Sequence, residues 1–182
     1  TIDDVERFPD MLEQAYRNAV SGCPGPVHLQ FQGNEGQIDL EEGNLKPITD
    51  VRFNSIPPFR PQAENKDIER ALDLLQQAER PVIVSGGGVK HSKAGPQLLK
   101  LAESLRIPVA TSLNGKDTFL ASHPLSAGVV GTYSRGSANR VVGKADLICF
   151  IGSKTGGMAT HFWQVPPIGA NTIQIDIDPE AI

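Results

Sequence analysis

The sequence predicts an α/β domain: a doubly wound parallel sheet with helices on both faces. Three observations predict it. Short β-branched runs recur as PVIVS, IPVATS, DLICFIG and TIQIDI; amphipathic stretches of helical spacing separate them; and polar, glycine-bearing turns follow the runs. Strands covered on both faces read as nearly continuous apolar runs, as LICFI does.

At 182 residues the chain accommodates one full domain and an appendage. The formal charge of −4, without a Lys/Arg cluster, argues against a nucleic-acid partner. No apolar run is long enough to span a bilayer, so no membrane partner is expected. Cys23 and Cys149 lie far apart, and Cys149 sits inside LICFIG. That predicts a buried reduced thiol rather than a disulfide or metal ligand, and with it a cytoplasmic location. The chain shows no signal or transit sequence, and its start at Thr1 reads as a piece of something longer.

Taken in order, FPDMLEQAYRNAV (Phe8 to Val20) places Phe8, Met11, Leu12, Ala15, Tyr16, Ala19 and Val20 at the spacing of one helical face. SGCPGP stops that helix, and VHLQF alternates like a short strand. So small a unit cannot bury its own apolar face, so it either packs on the next domain along the chain or forms the end of another. Gly33 to Asn65 carries no sustained period and includes IPPFRP, which reads as an extended linker. Regular alternation then begins. A helix is predicted from about Lys66 to Ala78, then the strand PVIVS, a helix from about Lys93 to Leu105, and the strand IPVATS. A polar connection, a short VV strand, a helix from about Arg135 to Gly143, DLICFIG, an irregular segment and TIQIDI complete the chain.

In a doubly wound sheet, ligands sit beyond the carboxyl ends of the strands. Gly86, Gly87 and Gly88 occupy that position after PVIVS. Either their N–H groups meet a phosphate, or the glycines only make a tight strand-to-helix turn. The dinucleotide fingerprint is partial: Gly86 and Gly88 give G-x-G, but His91 takes the third glycine's place. IPVATS closes with Thr111 and Ser112, leaving no carboxylate for a ribose diol, which disfavours a conventional NAD dehydrogenase. Gly131 and Thr132, Gly152 to Gly157 (GSKTGG), and Asp176 end other strands, so polar loops are expected to ring one crevice. Asp178, before Pro179 and Glu180, reads as an N-cap. Asp176 is then the freer carboxylate, facing either an adenine or ribose or only solvent.

No G-x-S-x-G elbow accompanies a base, and His28, His91, His123 and His161 fit no zinc spacing. Neither a catalytic group nor a metal ligand is assigned. Lys90, Lys93 and Lys154 either contact phosphate or are solvated, and HFW at His161 to Trp163 is either a lid or interface, or packing.

Three stretches, RPVIVSGGGV, IPVATSLNGKDTFLASHPLSAGVVGTYSRGSANRVVGKADLICFIGSKTGG and IQIDIDPEAI, resemble the central domain of thiamine diphosphate-dependent enzymes, in order and spacing. The group is that of acetolactate synthase, pyruvate oxidase and glyoxylate carboligase. AYRNAVSGCPGPVHLQF resembles the end of its N-terminal pyrimidine-binding domain. The resemblance implies a Rossmann-like sheet of about six strands, of the DHS-like NAD/FAD-binding type. It also implies a division into residues 1–32 (tail of the pyrimidine-binding domain), 33–65 (linker) and 66–182 (central domain).

The resemblance further implies a parent that decarboxylates a 2-keto acid and ligates the product to an acceptor. Thiamine diphosphate and Mg2+ would be held by N- and C-terminal domains, as a homo-oligomeric dimer or tetramer, leaving this chain alone inactive. In this domain FAD or another adenine nucleotide would face Gly86, Gly87, Gly88, Thr111, Ser112, Leu113, Gly131, Thr132, Gly152, Ser153, Asp176 and Ile177. One stretch departs from the pattern: flavin-holding members read G-A-R-F-D-D-R where this chain has GSKTGGM. Lys154 replaces the arginine, and lysine lacks its planar fork. The rival reading is a stand-alone FAD- or NAD-binding module of an unrelated flavoprotein or deacylase-like protein.

Overall fold

The structure, a computed structural model, describes residues 2, 5–31, 50–134 and 136–182. They form two compact units, Thr1–Gln62 and Ala63–Ile182.

In the first unit, α1 (Phe8–Val20) starts with Pro9 in its first turn, where proline's missing N–H costs nothing, and buries Ala15 and Val20. The Tyr16 hydroxyl donates to the Phe53 carbonyl at 3.2 Å, and the Arg17 guanidinium lies 5.4 Å from the Phe53 ring centre. Phe53, 6% exposed, sits in a 3-10 turn (Val51–Asn54) within the predicted linker, whose residues 33–49 lie outside the described residues. VHLQF departs from expectation. It makes one parallel bridge, Phe31 with Ile2, whose N–H donates to the Gln30 carbonyl at 2.6 Å. Among the described residues no ladder partner runs along the rest of the stretch, and alternation alone does not make a strand.

The second unit runs α2 (Asn65–Gln77), β1 (Pro81–Ser85), α3 (Gly87–His91), α4 (Gly95–Leu105), β2 (Val109–Thr111), β3 (Ser126–Val129), α5 (Gly136–Gly143), β4 (Leu147–Ile151) and β5 (Asn171–Ile175). The strands form one parallel sheet of five in the order β3-β2-β1-β4-β5. PVIVS, IPVATS, DLICFIG and TIQIDI correspond to β1, β2, β4 and β5, whereas β3 overlaps the VV run only at Val129; the described residues form five strands, not the sheet of about six that the resemblance implies.

Alternation along β1 and β4 splits the core between the two faces. Ile83, Leu147 and Cys149 join Leu75, Leu98 and Ala102 on one side. Val82, Val84, Ile148 and Phe150 join Ala138 and Val142 on the other. Ile83 and Ile148 are fully buried, each worth about 1.5–3 kcal/mol of transfer free energy.

The helix predicted from about Lys93 to Leu105 is α4, and α3 before it is a further short helix that the residue pattern did not predict. Lys93 adopts φ +58, ending the turn after α3, and Pro96 sits in the first turn of α4. Arg106, at φ +54, then closes α4 in the left-handed region.

Candidate functional site

Because all five strands are parallel, their carboxyl ends share one edge. The direction of winding reverses between β1 and β4, which places the topological switch point between the loops that follow them. A nucleotide in such a sheet binds in that crevice.

Here the two loops touch backbone to backbone. The Gly86 N–H donates to the Ile151 carbonyl at 2.8 Å, and the Gly88 N–H to the Gly152 carbonyl at 2.9 Å. The Gly152 N–H donates to the Ile175 carbonyl at 2.8 Å. A Cβ on Gly86 would fall 2.1 Å from the Gly152 oxygen, and one on Gly88 would fall 2.7 Å from the Gly152 Cα. Glycine is required at both positions by loop contact. Gly87 alone has room, its nearest neighbours being atoms of Asn114 at 3.7 Å.

Beyond β2, Thr111 and Ser112 are buried, and the Ser112 N–H donates to the Ser85 carbonyl at 2.8 Å. Thr118 Oγ1 donates to the Gly115 carbonyl at 2.6 Å, so Ser85 Oγ, 2.6 Å away, is the donor to Thr118 Oγ1. Leu113, 54% exposed, points away from this buried chain. Beyond β3, Asn139 on α5 brackets Gly131: its Oδ1 accepts the Gly131 N–H at 2.8 Å, and its Nδ2 donates to the Gly131 carbonyl at 3.1 Å. The Thr132 N–H donates to the Met158 carbonyl at 2.9 Å. Gly131 and Thr132 therefore join the 156–160 segment. Asn139 carried no signal in the sequence beyond its place on a helix.

Ser153 is buried after β4, and its carbonyl accepts from Gln174 Nε2 at 3.1 Å. Asp176 and Ile177 are half-buried beyond β5, and Asp176 Oδ1 accepts the Asp178 N–H at 3.0 Å. Asp178 caps the 3-10 turn Pro179–Ala181 by accepting the Glu180 N–H at 3.1 Å, as its sequence context predicts. Its Oδ2 also lies 2.8 Å from Lys154 Nζ. Lys90 pairs with Asp117 at 2.8 Å. Trp163, 69% exposed, lies against Gly157, where a Cβ would meet its ring at 3.2 Å.

The resolved pKa shifts all point away from neutrality. The Arg52 hydrogen bonds lower Asp50 to about 2, and the hydrogen bond from Lys90 lowers Asp117. Burial works to raise the Asp146 carboxyl, but N–H donors of Arg80 and Glu79, at 2.9 and 2.8 Å, outweigh it and lower it. Burial pushes the Cys149 thiol to about 12. Among the described residues no group of three His, Cys, Asp or Glu side chains converges to hold a metal. An open groove of about 700 Å³ lies on the opposite edge, lined in part by Arg80, Arg106 and Lys144. Cations beside helix C-termini complement the helix dipoles there.

A pyrophosphate needs a row of outward N–H donors. The N–H groups of Gly86, Gly88, Ser112, Gly131, Thr132 and Gly152 are all taken within the protein. Among the described residues, two buried side-chain atoms, Thr132 Oγ1 and His161 Nδ1, have no hydrogen-bond partner. The six N–H groups so engaged do not fit a flavin or other adenine dinucleotide.

The sheet order, the two-faced core and the joined strand ends define a Rossmann-like α/β domain. Residues 68–182 match the family model described as thiamine pyrophosphate enzyme, central domain, and the chain belongs to that family. It is 36% identical over 181 residues to the "Probable acetolactate synthase large subunit" of Methanocaldococcus jannaschii, covering 97% of this chain and 30% of the relative. To the glyoxylate carboligase of Escherichia coli it is 32% identical over 185 residues, covering 100% of this chain and 30% of the relative. A solved Mycobacterium smegmatis structure, assigned as a thiamin diphosphate-dependent enzyme, has the same fold. Its TM-score is 0.68 at 22% identity, over 99% of this chain and 33% of that one. The chain thus spans about a third of the length of the relatives it matches. Among the described residues no helix is long and apolar enough to cross a membrane.

Proposed function

We propose that this chain is the central, non-catalytic domain of an acetolactate synthase-like enzyme that decarboxylates a 2-keto acid and ligates the product to an acceptor. The observation that carries this reading is coverage: acetolactate synthase and glyoxylate carboligase relatives align with nearly the whole chain, yet it spans only 30% of each. Residues 1–32 are then the tail of a pyrimidine-binding domain, 33–65 a linker and 66–182 the central domain.

Thiamine diphosphate, with Mg2+, supplies the carbanion-stabilising chemistry in such enzymes, and this reading places both in the flanking domains. The described residues support the division of labour. Their shifted carboxyls are held ionised and their shifted thiol is held protonated, so none of these groups is poised for proton transfer near neutral pH. The part left to this domain is mechanical. Its rigid sheet sets the spacing of the flanking domains and contributes to subunit contact in a homo-oligomer.

Calorimetric titration with thiamine diphosphate and Mg2+ tests the assignment. The full-length protein should bind one thiamine diphosphate per chain, and residues 1–182 alone should bind none. Stoichiometric binding to residues 1–182 would overturn it.

A further inference from the structure

We propose that the strand-end crevice of this chain is self-closed, its loops held together by their own backbone contacts, and that it takes neither a flavin nor another adenine nucleotide. The closure lies at the topological switch point, where a ligand would have to enter. There the Gly86 N–H makes the last rung of the β1–β4 ladder with the Ile151 carbonyl, and the loops beyond it share one hydrogen bond, from the Gly88 N–H to the Gly152 carbonyl. Their glycines lie so close that a Cβ on any of three would come within 2.1–2.7 Å of the other loop. A pyrophosphate on the Gly88 N–H would have to break that bond and part the loops.

The next loop is committed in the same way. Gly152 donates to Ile175 at the end of β5, and Lys154 reaches Asp178 beyond it at 2.8 Å. The cation at the expected arginine position is thus drawn to a carboxylate that also caps the final turn. On the other side, the Ser112 N–H to Ser85 carbonyl bond and the Ser85–Thr118–Gly115 chain tie the loop after β2 to the end of β1. Gly86, Gly88 and Gly152 are explained by these loop contacts.

Amide hydrogen exchange on the full-length, nucleotide-free protein reads this directly. Gly86, Gly88 and Gly152 should exchange on the order of a hundredfold or more slowly than in an unfolded chain, and added FAD should leave those rates unchanged. In parallel, titration of the same protein into FAD, followed by flavin fluorescence, and calorimetry with ADP should show no saturable binding. FAD retained in stoichiometric amount through gel filtration, saturable ADP binding, or a Gly88 amide exchanging at the unfolded rate would each overturn the closure. The central-domain assignment is decided separately by thiamine diphosphate binding, so either can fail alone.

Discussion

Lys154 Nζ lies 2.8 Å from Asp178 Oδ2, an ammonium on a largely exposed side chain against a carboxylate on a residue only 6% exposed. The two partners contribute unequally. Lys154 offers one solvated charge, whereas Asp178 also caps the last turn through the Glu180 N–H. Asp178→Ala is expected to cost about 1–2 kcal/mol, the range of a lost N-cap, and Lys154→Met less than about 1 kcal/mol. Urea denaturation of the two variants checks the order, and a larger loss for Lys154→Met would refute it.

Gly131 and Gly156 lie on the two loops that meet beyond β3 and β4, and they should respond in opposite ways to alanine. Gly131 has φ +103, and a Cβ there would sit 2.1 Å from the Met158 carbonyl oxygen. Nothing lies within 4 Å of a Cβ on Gly156. Gly131→Ala is expected to destabilise by roughly 2 kcal/mol or more, since backbone must shift as well as strain. Gly156→Ala should change stability by less than about 0.5 kcal/mol. Thermal melts of both variants decide the matter.

Much of this architecture is readable from residue pattern because burial on two faces leaves a local signature. PVIVS and LICFI are apolar throughout, and they form β1 and β4 at the centre of the sheet. VHLQF misled because its alternation is equally local, while its pairing depends on a partner elsewhere in sequence. The short α3 was not legible, because GGVKH buries only Val89 and so carries no helical period. At the strand ends the glycines were legible as places of close approach, but not what approaches. A glycine facing a phosphate and one facing the Gly152 backbone look alike in sequence. Asn139, which brackets Gly131 from a helix eight residues away, could not have been singled out.

The two thiols should differ sharply in reactivity. Cys149 is 1% exposed on β4, and burial holds its thiol near 12, so the nucleophilic thiolate is scarce at neutral pH. Cys23 is exposed. Titration of residues 1–182 with a thiol reagent should modify one cysteine in the native state and both after denaturation. Rapid native modification of Cys149 would contradict the packing described for the sheet.

Asp146 gives the fold an acid-sensitive tie. Its carboxylate accepts the Glu79 and Arg80 N–H groups, joining the start of β4 to the turn before β1, and its folded pKa lies below the ordinary value. The unfolded group titrates near about 3.9, so its contribution is present above that pH and is lost as pH falls through the folded value. Asp146→Asn should therefore lower stability at neutral pH and flatten its fall on the acid side. A variant with unchanged pH dependence would show that Asp146 is not part of the acid response.

The central claim, that this chain is the non-catalytic middle of a thiamine diphosphate enzyme, is tested most directly by carbon dioxide release from 2-keto acids. The full-length protein should release it from at least one member of a series beginning with pyruvate, only when thiamine diphosphate and Mg2+ are supplied, while residues 1–182 alone release none. Activity that persists in the full-length protein without thiamine diphosphate, or silence across the whole series with it, would contradict the account.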